Sequence, residues 1–160
     1  MLVIWWILSL KEVEYNIIMN EYTYDEITIG LIEEFCILLD DEKMDAFMSI
    51  TGDTNPLHTD EVYAKEHLGY SGKVAYGLLT ASFLSTLAGM YLPGKHSLLH
   101  SVEVKFAKPV LPPDTLTIRG EVVDKEDRFR LLKVKANIYN SIGENVCRAS
   151  IKVGVIDESH

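Results

Sequence analysis

A chain of 160 residues with 48% hydrophobic and 24% charged side chains has the size and composition of one globular domain with its own core. Its formal net charge of −9 argues against general nucleic-acid or anionic-membrane binding, because each needs a basic face. Cys36 and Cys147 lie in apolar, strand-like surroundings, and no Cys/His spacing suggests zinc. The expectation is two free thiols in a reducing cytoplasm and no metal site.

The chain opens on MLVIWWILSL, apolar throughout and followed by Lys11-Glu12-Val13-Glu14. Such a run is too short for a membrane span, which takes about 20 residues in a helix. It also lacks the basic start and small-residue cleavage site of a signal peptide. Residues 33–39 read as a buried strand. Residues 42–50 carry Met44, Phe47, Met48 and Ile50 at helix-like spacing. Asp60 is positioned to cap a second short helix over 61–67, and 69–73 form a loop.

From Val74 to Gly94 no residue is charged. Its length alone would suit a membrane span, but Gly77, Thr80, Ser82, Ser85, Thr86 and Gly89 interrupt it and Pro93-Gly94 ends it. A helix apolar on nearly all sides is equally a core helix wrapped by a sheet, and that is the expected structure. Beyond it the chain turns to β. Residues 98–106 alternate, with Val102, Val104 and Phe106 on one face. Strands are expected at 115–123, 129–139 and 144–155, separated by turns at 124–127 and 140–143. Long neighbouring strands with short links predict an antiparallel meander, and helix early with sheet late makes an α+β layout.

Between the first two helices lies Thr51-Gly52-Asp53-Thr54-Asn55-Pro56-Leu57-His58. Gly52 admits backbone angles other residues avoid. Pro56 fixes its own φ and pushes Asn55 out of the α region. The result is a stiff turn able to aim a carboxylate, Asp53, and an imidazole, His58, at one point. A continuous helix would separate these two positions by about 140°, at about 3.6 residues per turn. Read on its own, such a run can also be a plain loop in which Asp53 or Thr54 caps and His58 packs nearby.

The longer string from Phe47 to His58, with Ala64 after five further residues, resembles the signature of the (R)-specific enoyl-CoA hydratases, in the MaoC-like branch of the hotdog-fold dehydratases. The resemblance runs from about Tyr24 to Val155, leaving residues 1–20 as an apolar extension and 21–157 as the hotdog domain. It implies a curved antiparallel sheet wrapped round a central hydrophobic helix. It implies that Asp53 and His58 form the catalytic pair and that the backbone N–H of Gly77 holds the thioester carbonyl. Ala75-Tyr76-Gly77-Leu78-Leu79 stands where the family has Ala/Val-His-Gly-Met-Leu, so Tyr76 replaces a histidine. Ser85 matches a family serine that hydrogen-bonds the aspartate, and Asn55 and Tyr76 are further supporting residues. Leu92-Pro93-Gly94 and Lys108-Pro109-Val110 extend the match, with Pro113 where glycine is common.

The resemblance further implies reversible hydration of a trans-2-enoyl thioester, with no metal or redox cofactor and with CoA or acyl-carrier protein as the carrier. A homodimer or dimer of dimers is expected, cytoplasmic, with no nucleic-acid partner. Two alternatives stay open at this point. One is a 3-hydroxyacyl dehydratase acting on acyl-carrier protein. The other is a non-catalytic acyl-CoA-binding module, which would need no acid–base pair. His67, His96 and His100 read as surface or pocket-lining residues.

Overall fold

The computed structural model describes residues 18–156, so the apolar run at 1–10 lies outside them. The elements are β1 (Ile32–Leu39), α1 (Asp41–Thr51), α2 (Pro56–Thr59), α3 (Glu61–Leu68) and α4 (Gly77–Thr86), which passes into a π-helical turn (Leu87–Tyr91). Then come β2 (Ser97–Phe106), β3 (Asp114–Glu126), a 3₁₀ turn (Asp127–Phe129), β4 (Leu131–Tyr139) and β5 (Asn145–Val155). The strands form one antiparallel five-stranded sheet in the order β1-β3-β4-β5-β2. This is the α+β hotdog arrangement that the sequence led us to expect, with the meander β3-β4-β5 at its centre.

The core lies between the sheet and α4. Alternation on the central strands turns Leu116, Ile118, Val122, Leu132, Val134, Ile138, Ile151 and Val153 inward, all essentially without solvent contact. Leu79, Phe83, Leu84, Leu87 and Ala88 meet them from α4 and its π turn. Gly120 on β3 makes room for this contact: a Cβ there would lie 2.7 Å from Leu87 Cδ2. Covering is one-sided, however. Leu78 is 69% exposed, and Ser82 and Ser85 are exposed with it on one helical face. The edge strand β2 likewise leaves Leu98, Leu99, Val102 and Phe106 uncovered.

Several boundaries differ from expectation for identifiable reasons. α4 begins at Gly77 rather than Val74, because Val74 and Ala75 give their N–H groups to Leu57 O (3.1 Å) and Val110 O (2.8 Å). Its later part tightens no further as an α-helix: Leu92 N–H reaches back five residues to Leu87 O at 2.8 Å. The charged run 124–126, expected as a turn, continues β3, since Lys125 and Glu126 pair with Leu132 and Leu131. The reversal is made instead at Asp127–Phe129, closed by Arg130 at φ 49°. Ile50, expected on the buried side of α1, is 82% exposed. Six positions from buried Met44, it is rotated by about 240° from it.

The segment before β1 is fastened down by side chains from the far end of the sheet. Tyr24 donates its hydroxyl to Asp127 Oδ1 at 2.9 Å, and Lys125 Nζ donates to Tyr24 O at 2.8 Å while lying 4.2 Å from the centre of its ring. Asn20 is tied in too, donating to Met90 O at 2.9 Å and accepting from Lys95 N–H at 2.8 Å.

Candidate active site

The turn that carries Asp53 and His58 is built almost wholly from local hydrogen bonds. α1 stops at Gly52, which takes the left-handed conformation (φ 72°) and returns its N–H to Met48 O at 2.8 Å. Asp53 N–H donates to Thr51 Oγ1 (3.3 Å), and Asp53 Oδ1 accepts from Asn55 N–H (3.0 Å). Asn55 then caps α2 by accepting from Leu57 N–H at 3.0 Å, with Pro56 at the first helical position, where its missing N–H costs nothing. α2 lasts four residues before Asp60 caps α3 by accepting from Tyr63 N–H at 2.9 Å. Asp53 is left exposed and His58 half-buried.

A second segment, the extended strap of residues 73–76 leading into α4, holds the turn from behind. Val74 exchanges two hydrogen bonds with it: its N–H reaches Leu57 O, and its carbonyl lies 2.7 Å from His58 Nδ1. A carbonyl only accepts, so Nδ1 carries the proton, which leaves the lone pair of neutral His58 on Nε2. Lys73 pairs with Asp41 at 2.5 Å, tying the strap to the start of α1.

Tyr76 completes the assembly. It is only 3% exposed, and its ring packs 4.1 Å from the His58 ring and 5.2 Å from that of Phe47, centre to centre. Its hydroxyl donates to the backbone carbonyl of Asp53 at 2.7 Å. Burial first, then the nearby Asp53 and Asp45 carboxylates, push the phenol above its ordinary range, so it stays a neutral donor. The sequence marked Tyr76 as a supporting residue through the resemblance, but not these contacts. The signal was an aromatic residue at the entry to the core helix, which reads as packing until the partners are seen.

Tyr76 is also the N-cap of α4 and makes no capping bond with its side chain. The first N–H groups of the helix, beginning with Gly77, therefore open toward a groove of about 340 Å³ lined by Tyr70, Val74, Gly77, Phe106, Lys108 and Val146. A Cβ on Gly77 would sit 3.3 Å from the Phe106 ring, so glycine keeps this approach open. A helix N-terminus suits a developing negative charge on a ligand oxygen. A larger hollow of about 540 Å³ on the outer face of the sheet, lined by Lys105, Lys133, Lys135 and Arg148, contains none of these groups.

Asp53, His58 and Tyr76 are thus brought together, with Asn55 in the same turn and Gly77 next to Tyr76; of these only Gly77 lines the 340 Å³ groove. Ser85 is not among them: it lies exposed on α4, eight positions beyond Gly77, and no hydrogen bond joins it to Asp53 among the described residues. Among the described residues, no group of three or more His, Cys, Asp or Glu could hold a metal ion. His67 stacks on Tyr63 (4.9 Å between centres), and His100 lies against Gly154, both outside the site.

A family model described as a MaoC like domain matches residues 20–143. A 3-hydroxybutyryl-CoA dehydratase of Methylorubrum extorquens is 30% identical over 123 residues, covering 77% of this chain and 76% of that protein. An (R)-specific enoyl-CoA hydratase of Aeromonas caviae is 36% identical over 98 residues, covering 61% of this chain and 72% of that one. Among solved structures, an unliganded (R)-hydratase from Pseudomonas aeruginosa has the same fold, with a TM-score of 0.82 at 23% identity over 88% of this chain and 89% of that chain.

Proposed function

This chain belongs to the MaoC-like domain family and is a hydro-lyase, and we propose that it adds water reversibly to a trans-2-enoyl-CoA to give the (R)-3-hydroxyacyl-CoA. The observation that supports this reading is that the backbone of Asp53, the His58 imidazole and an uncapped helix N-terminus all meet at one buried tyrosine. In the proposed reaction Asp53 and His58 share the water. One draws a proton from it as its oxygen bonds to C3, and the other delivers a proton to C2 as the double bond opens. The His58 Nε2 lone pair, left free by the Nδ1 bond to Val74, suits it to such exchange. The N–H of Gly77 holds the thioester oxygen as charge builds on it. No oxidation state changes, so the reaction calls for no redox group, and the thioester itself acidifies C2.

The uncovered apolar edge of β2 invites a second copy. A homodimer joined edge to edge is part of the proposal, as is a cytoplasmic setting. No helix of the described residues is long and apolar enough to cross a membrane. A sedimentation experiment that finds only monomer at micromolar concentration would contradict the dimer.

The functional test is spectrophotometric. Incubation with crotonyl-CoA should remove the enoyl thioester absorbance and yield the (R)-3-hydroxy product, faster than with the matching carrier-protein thioester. Faster turnover of the carrier-protein substrate would reassign the carrier. Tight binding of acyl-CoA with no turnover on either would identify a non-catalytic module instead.

A further inference from the structure

Tyr76 stands at the junction of every part of the site. Its ring lies between Phe47 of α1 and His58 of α2, its hydroxyl holds the carbonyl of Asp53, and its own carbonyl begins α4 beside Gly77. We infer that Tyr76 is a positioning residue that sets both members of the acid–base pair at once and locks them to the helix N-terminus. This rests on the proposed hydratase reading of the same site.

The physical case has two halves. Asp53 is exposed, and its own side chain is spent on the local bond to Asn55 N–H, so the long-range restraint on its backbone comes from Tyr76. Holding that carbonyl fixes the peptide plane next to the Asp53 Cα and so restricts where the carboxylate can point. His58 is held at one ring nitrogen by Val74 O and on one face by the Tyr76 ring. A half-turn of the imidazole would exchange Nδ1 with a carbon and break the bond to Val74, so this bond and the tilted contact with the Tyr76 ring keep Nε2 as the free ring nitrogen. A buried tyrosine hydroxyl needs a partner, and this one has found it in the catalytic turn rather than in the core. Histidine, the residue the resemblance would lead one to expect here, has a shorter reach; the tyrosine gives this chain a tie between the strap and the turn.

The experiment compares Tyr76→Phe and Tyr76→Leu in the wild-type chain and in an Asp53→Asn background, with crotonyl-CoA as substrate and melting temperature as a check on folding. Tyr76→Phe keeps the ring and should lower kcat about tenfold with KM within about twofold, because only the placement of Asp53 is loosened. Tyr76→Leu removes both contacts and should lower kcat by about a hundredfold or more. On Asp53→Asn, the Phe change should cost less than about twofold, since the group it positions is already gone. Unchanged kcat in Tyr76→Phe, or the same tenfold loss on both backgrounds, overturns the inference. A readout independent of activity is the proton NMR signal of the His58 ring, identified by its loss in His58→Ala. It should be shifted by the Tyr76 ring in the wild type and in Tyr76→Phe, and released in Tyr76→Leu. If the wild type hydrates no enoyl thioester, the functional reading falls, and this signal still decides whether Tyr76 holds His58: an unmoved signal in Tyr76→Leu means it does not.

Discussion

The turn at residues 51–60 and the strap at residues 73–76 meet at one point and are held there by opposite means. The turn is exposed and sustained by bonds between near neighbours: Gly52 to Met48, Asn55 to Asp53, Leu57 to Asn55, Tyr63 to Asp60. The strap is buried and has little local structure; its bonds run to Leu57, His58, Asp53 and Val110. The difference separates two tasks. The turn carries the carboxylate and the imidazole where solvent can reach them, and the strap supplies the rigidity that exposed groups lack. Loss of the carboxylate or imidazole carried by the turn should therefore affect chemistry far more than folding, and loss of a strap contact should loosen the groups that it holds.

The largest effect should come from the turn. Asp53→Asn and His58→Ala are each expected to lower kcat by about 10²–10⁴ while the melting temperature barely moves, measured on crotonyl-CoA and by thermal denaturation. A smaller loss is expected where strap becomes helix. Gly77→Ala adds a methyl 3.3 Å from the Phe106 ring, in the groove where the thioester oxygen would approach. We expect kcat/KM to fall about 10–100-fold with folding unimpaired, since alanine suits a helix better than glycine. Equal kcat/KM in the variant would detach Gly77 from the chemistry.

Backbone conformation in the turn, and packing away from it, should answer in stability. Gly52→Ala forces a side chain into the left-handed conformation at φ 72° with no clash to offset by moving. It should cost about 1–2 kcal/mol in denaturant unfolding, and it would test how much of the turn's geometry is imposed from the end of α1. The smallest effect concerns Tyr24, far from the site. Burial above all, then its bond to Asp127, pushes its phenol up to about 12. A folded-state value above the unfolded one means the stabilisation is complete below about pH 10 and is lost as pH rises toward 12. The melting temperature should drop between about pH 10 and about pH 12, and drop less in Tyr24→Phe. Tyr22, Tyr76 and Lys73, also raised, would contribute to the rest.

The same contrast explains what could be read from the chain. The turn was legible because Gly52, Asn55, Pro56 and Asp60 each act within a few residues of themselves, and the meander because alternation is local to each strand. The strap was not legible. Val74 and Ala75 look like the first residues of an apolar helix, and only their partners Leu57 and Val110 hold them extended. Tyr76 belongs to the same class: its packing against His58 and its bond to Asp53 depend on tertiary placement. Residues 124–126 carry the charge of a turn, yet sheet pairing with β4 overrides that preference. The uncovered faces of α4 and β2 also have no signature in the chain, because an apolar residue left exposed reads like one that will meet the core.

The central claim is that Asp53 and His58 act as one unit, held together by the strap. The most direct measurement is kcat on crotonyl-CoA for Asp53→Asn, His58→Ala and the double variant under identical conditions. The account predicts that the double variant is barely slower than the poorer single one, because removing either partner already disables the pair. Losses that multiply, or activity that survives in either single variant with intact folding, would contradict it.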